Sequence, residues 1–193
     1  MSDSRNVALR LGVLAFVSVL VQIAGVAQIR VFGVGFDLAP LVVVTAGFLT
    51  GALSGALFGF GVGLFLDLAY VQTLGVFALV YCLVGYGAGR VRELRAPEAP
   101  FTPLALGAAA TAVASCGYAV LEVTLGVTSP VSLELVRDIL VGIALNSLIA
   151  VPVYSIVRRW LIPALPEDPR RRRRRAYTTG GLSPLSHNSG RGR

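Results

Sequence analysis

Residues 38–66 run for 29 positions without a charge, and inside them glycine returns at 47, 51, 55, 59 and 63. A helix needs about 20 apolar residues to cross roughly 30 Å of hydrocarbon, so this run is long for one crossing and short for two. At about 100° per residue, each step of four advances by about 40°, so five glycines on one helix would wind around roughly 160° and form no flat seam. The run therefore predicts two helices and a tight turn within residues 50–54, where Thr50, Gly51 and Ser54 can satisfy freed backbone groups. Gly47 then belongs to the first helix and Gly55, Gly59 and Gly63 to the second, so that only the last three form a stripe. Internal helix packing is favoured over a dimer seam for Gly47, Gly51, Gly55, Gly59 and Gly63, and Gly85 and Gly89 join them further along the chain.

The remaining apolar segments are residues 7–29, 74–89, 101–125 and 139–157, each a candidate span. Arginine placement sets their parity. With two crossings in residues 38–66 and the N-terminus inside, Arg5, the Arg90/Arg92/Arg95 group, Arg158, Arg159 and the C-terminal arginines share the cytoplasmic side. A single crossing scatters them, so six spans with both termini cytoplasmic are expected. Gly25-Val26-Ala27 offers a second reading of the first span, as a signal peptide, but its apolar run exceeds the 7–15 residues of a signal core.

The formal charge of +7 divides unevenly along the chain. Residues 170–193 hold eight arginines and no acid, while residues 1–169 hold nine arginines and ten acids. Basicity is thus a property of the tail, which excludes the nucleic-acid reading of the net charge and points to anionic lipid at the cytoplasmic face. Arg170, Arg171, Arg172, Arg173, Arg174 and Arg175, with Trp160 as an interfacial aromatic, are the expected headgroup contacts. Residues 1–165 form the transmembrane domain in this reading, and residues 166–193 a disordered tail. With 55% hydrophobic and 14% charged residues the composition is that of a membrane protein. One histidine, no lysine and two separated cysteines supply no catalytic residues, metal site or cofactor site, and an enzyme is not expected.

Few polar groups fall within or beside the apolar segments. Asp37 and Asp67 bracket the glycine run. Each can lie hydrated at headgroup depth, the reading favoured for Asp37, or mark a polar contact or site, which for Asp67 is equally weighted. Asp67 stands at a helix C-terminus, where the dipole disfavours an anion. Glu122 and Arg137 are candidates for a clasp across a short turn. Ser115, Asn146 and Ser147 are mid-span groups suited to hydrogen bonds between helices.

The stretch FDLAPLVVVTAGFLTGALSGALFGFGVGLFLDLAYVQTLGVFALVYCLVGYGAGRVRE, residues 36–93, resembles the rod shape-determining MreD family. The resemblance rests on Asp37-Leu38, the small-residue turn at residues 51–55, Gly63-Leu64 with Asp67, Leu74-Gly75, and Gly85-Tyr86 with Gly89-Arg90. It implies an all-α polytopic membrane protein of six transmembrane helices, similar to the S-components of energy-coupling factor transporters. It also implies a non-enzymatic scaffold of bacterial cell elongation that binds MreC and helps couple the cytoskeleton to RodA and a class B penicillin-binding protein. An S-component-like subunit of a small-molecule transporter is the alternative.

Overall fold

The computed structural model describes residues 2–24, 30–31, 34–35, 37–71, 74–94, 102–126 and 133–164. Six helices follow one another: α1 (Ser2–Ala24), α2 (Leu38–Thr50), α3 (Ala52–Tyr70), α4 (Val76–Leu94), α5 (Thr102–Thr124) and α6 (Leu133–Leu161). Between α1 and α2 the strands β1 (Arg30–Val31) and β2 (Val34–Gly35) pair antiparallel, Arg30 opposite Gly35, a small addition to the all-helical expectation. A single 3₁₀ turn, Ile162–Ala164, ends the described chain.

Helix α2 is apolar around its whole circumference, and a helix of that kind belongs in an interior. Every residue from Ala39 to Leu49 is buried. The other five helices enclose it. Its two threonines are satisfied within the helix, Thr45 donating to the Leu41 carbonyl at 2.7 Å and Thr50 to that of Ala46 at 2.8 Å.

The turn between α2 and α3 is one residue long. Gly51 has φ +101° and ψ 174°, a conformation essentially restricted to glycine. Its N–H donates to the Gly47 carbonyl at 2.8 Å and its own carbonyl accepts from Gly55 at 2.9 Å, so the backbone is paired through the reversal.

Helices α3 and α4 then run antiparallel with their backbones in contact. A methyl group added at Gly55 would meet the Gly85 carbonyl, one at Gly59 the Tyr81 carbonyl, one at Gly63 the backbone of Phe77 and Ala78, and one at Gly89 the backbone of Gly51 and Ala52. Each step of four on α3 is matched by four backward on α4. Gly47 faces the Gly85 carbonyl as well. The expectation that only Gly55, Gly59 and Gly63 form a stripe is therefore too narrow. The reversal at Gly51 lays α2 back along α3, and α4 packs into the groove between them, so all five glycines of the run approach α4.

Among the described residues four helices are long and apolar enough to cross a membrane: Asn6–Ala24, Ala52–Tyr70, Thr102–Leu121 and Val136–Leu161. Helix α2 is apolar but has 13 residues, about 20 Å of length. Helix α4 outruns the expected span 74–89 and carries Arg90, Arg92 and Glu93 in its last turns. Helix α6, at 29 residues, is far longer than residues 139–157.

Candidate functional site

A helix as short as α2 starts inside the protein, and in an apolar interior each of its free N–H groups needs a partner. Three polar side chains from three segments provide them. The Asp37 N–H donates to Asn146 Oδ1 at 3.2 Å, the Leu38 N–H to Gln22 Oε1 at 2.9 Å, and the Ala39 N–H to Asp37 Oδ1 at 3.3 Å. Pro40, in the first turn, has no N–H to satisfy. Tyr81 closes the cluster from α4, its hydroxyl donating to Asp37 Oδ2 at 3.1 Å. Gln22, Asn146 and Tyr81 are all buried.

This corrects the placement favoured for Asp37. It does cap α2, yet it faces a cluster of buried groups rather than open water. Asn146 lies thirteen residues into α6, about 20 Å from the start of that helix. The shortness of α2 sets this depth, and the apolar run alone does not reveal where α2 begins relative to α6.

Asp67 occupies the last turn of α3 and is fully buried, at 0% exposure. Its Oδ2 accepts from the N–H groups of Gly75 at 2.9 Å and Ala78 at 3.2 Å, and its Oδ1 from that of Phe77 at 3.0 Å. The dipole of its own helix disfavours a carboxylate there, but the N-terminus of α4 stands opposite and favours one. A ladder of aromatic rings flanks the junction, with Phe77 stacked on Tyr118 at 4.8 Å and tilted against Tyr70 and Tyr81.

At the opposite end of the hairpin α4 returns the favour to α2 and α3. Arg92 donates to the Leu49 carbonyl, one of the last of α2, while Glu93 Oε1 accepts from the Ala52 N–H at 3.3 Å, the first of α3. Arg90 holds the other carboxylate oxygen of Glu93 at 2.9 Å. The Arg90 guanidinium, then the Ala52 N–H, keep the Glu93 carboxyl below the usual carboxylate range. Nearby, Arg10 of α1 donates to the Trp160 carbonyl at 2.8 Å, fastening the start of α1 to the end of α6.

Of the other expected residues, Ser147 bonds within its own helix to the Ile143 carbonyl at 2.6 Å, and Arg137 is exposed. The side chain of Glu122 and the whole of Arg170 to Arg175 lie outside the described residues, so the clasp and the tail contacts do too. Among the described residues no group of three His, Cys, Asp or Glu could hold a metal ion. The polar groups are arranged to cap helix ends. Sequence reasoning missed Tyr81, Arg92 and Glu93 in this role. For Arg92 and Glu93 the signal was the run Arg90-Val91-Arg92-Glu93 closing an apolar helix, which also fits an ordinary solvated helix end.

A comparison with protein families matches residues 7–161 to rod shape-determining protein MreD. The chain belongs to the MreD family. The match covers most of the chain, extending the resemblance of residues 36–93 over all six helices. No curated protein and no solved structure matches this MreD-family chain, so the likeness to S-components has no structural match behind it. Membership and the four long apolar helices identify a membrane protein with a role in rod shape determination.

Proposed function

We infer that this MreD-family protein is a non-enzymatic scaffold of the bacterial elongation machinery in the inner membrane. It crosses six times with both termini cytoplasmic, binds MreC, and helps couple the cytoskeleton to RodA and a class B penicillin-binding protein. Its tail lies on anionic lipid. The observation that carries this reading is the family match over residues 7–161. The packing supports it physically. A scaffold must present fixed surfaces, and here three helices meet backbone to backbone around Gly47, Gly55 and Gly85, with helix ends tied by Asp67, Arg92 and Glu93.

Arginine distribution supports the orientation. Arg10, Arg90, Arg92, Arg158 and Arg159 all lie at the end of the bundle that holds Gly51, against the single acid Glu93 among the described side chains there. Such an excess marks the cytoplasmic side.

Depleting the protein from rod-shaped cells is expected to round or bulge them, and the tagged chain is expected to co-purify with MreC. Normal shape together with no association would overturn the function. Orientation has its own test. With Cys82 and Cys116 replaced, Leu53→Cys, at a position 75% exposed beside the Gly51 turn, should react with reagent supplied from the cytoplasm. Reaction only from the periplasm would invert the topology.

A further inference from the structure

The corner where α1 meets the end of α6 carries more positive charge than the protein uses. Arg10 is committed to the Trp160 carbonyl. Arg158 and Arg159 follow in the last turn of α6, both exposed, and neither has a partner among the described residues. The ion pair of the described residues, Arg90 with Glu93, lies on α4. A guanidinium offers five donors in a planar fork suited to phosphate, so the last turn of α6 presents an unfilled demand for an anion.

The surface beside these arginines is apolar. Leu9 is 69% exposed on α1 and Ile156 67% exposed on α6, while Ile162 and Trp160 are 46% and 40% exposed. On helices that span a bilayer this apolar surface is met by acyl chains, which brings lipid phosphates to the level of the guanidinium groups. A molecule with a phosphate joined to acyl chains matches both. Trp160 stands between the two zones, where an indole prefers the glycerol level of a bilayer.

We propose that the α1–α6 corner is a binding site for an anionic phospholipid, with Arg158 and Arg159 holding its phosphate and Trp160 lying against its glycerol region. The site is built from the helical body and is separate from the arginine tail. It would fill the donors that the protein leaves open and fix the end of α6 relative to α1 at the membrane surface.

Trp160 is the sole tryptophan of the chain, so its fluorescence reports this corner alone. The full chain is reconstituted in mixtures of phosphatidylcholine and phosphatidylglycerol in which one lipid at a time carries brominated, quenching acyl chains. Brominated phosphatidylglycerol is expected to quench Trp160 at a lower mole fraction than brominated phosphatidylcholine. At about fivefold per arginine, replacing both (Arg158→Gln with Arg159→Gln) should reduce that preference by about 25-fold. The lysine pair, Arg158→Lys with Arg159→Lys, should keep most of it. Converting residues 170–175 to glutamine should leave it unchanged, and inorganic phosphate in the buffer should not compete. Equal quenching by the two lipids in the wild type overturns the proposal. So does an unaltered preference in the glutamine pair, loss of preference in the lysine pair, loss with the tail change alone, or competition by free phosphate.

Discussion

Asp67 and Glu93 perform one task at opposite ends of the α3–α4 hairpin, under opposite conditions. Each carboxylate sits in the last turns of one helix and accepts from the first N–H groups of the other. Asp67 is fully buried with three backbone donors, whereas the side chain of Glu93 is 44% exposed, with one backbone donor and an arginine. Where water is absent, a helix start must be satisfied by the protein alone; where water is present, the same contact is one choice among several. The adjoining turns differ as well. At the Glu93 end the reversal falls on a glycine, while at the Asp67 end α3 finishes on Val71 in the left-handed region, φ 51° and ψ 38°.

The largest expected effect follows from removing the buried cap. Asp67→Ala leaves the N–H groups of Phe77 and Ala78 in α4, and of Gly75 just before it, without this acceptor, and each buried group left unpaired costs roughly 1–3 kcal/mol. A loss of at least about 3 kcal/mol is expected, read as a large fall in the thermal midpoint of the purified protein or as failure to accumulate. Asp67→Asn keeps one carbonyl oxygen and should fall between. A midpoint for Asp67→Ala within a degree or two of the wild type would mean that water reaches the α4 N-terminus, and the contrast between the two ends would collapse.

Between the caps, the contrast is carried by the glycine contacts. Gly59→Ala places a methyl group against the Tyr81 carbonyl, and overpacking of this kind costs about 1–3 kcal/mol. Gly61, two residues away on the same helix, has nothing within 4 Å of an added methyl group. Gly61→Ala should stabilise α3 by up to about 1 kcal/mol through helix propensity. Opposite signs in one thermal unfolding series are the expected result. The same sign for both would show that glycine matters here through propensity and not through contact.

Much of this was legible in the sequence, and the parts that were not share a cause. The break within residues 50–54 followed from the length of the uncharged run, because a hydrocarbon core has a fixed thickness. The anomaly of Asp67 was also visible, as an anion at the wrong end of a helix. What resolves it is the α4 N-terminus, and only the pairing of α3 with α4 places that opposite. Asn146 stood out as a polar group in an apolar helix, but the target it shares with Gln22, the start of α2, depends on how deep a 13-residue helix begins. Periodicity describes one helix at a time. The sites here are made where one helix ends on another.

At the exposed end, pH offers a milder test. The Glu93 carboxyl is held below the usual range in the folded protein, so its contribution is complete above the unfolded value of about 4.3 and is lost as pH falls through the lower, folded value. Glu93→Gln should remove that component of acid sensitivity while leaving stability near neutral pH only slightly changed. Parallel acid melting curves for the two proteins would show that Glu93 does not tie the α3 start.

The smallest effect concerns the turn at the buried end. A β-branched residue in the left-handed region is strained, by about 1–2 kcal/mol, and Val71 is 90% exposed, so its side chain returns little through packing. Val71→Gly relieves that strain but also loosens the unfolded chain, at a cost of about 0.4–1 kcal/mol. The net expectation is stabilisation by a few tenths to about 1 kcal/mol, measured in the same thermal series as Asp67→Ala. Combining Val71→Gly with Asp67→Ala sharpens the point. If the turn and the cap act independently the two changes add, but the N–H of Val71 donates to the backbone carbonyl of Asp67 itself, and residues sharing a hydrogen-bonded turn couple. A gain from Val71→Gly that disappears once Asp67 is alanine would mean that the strained turn matters only while it aims a carboxylate at α4.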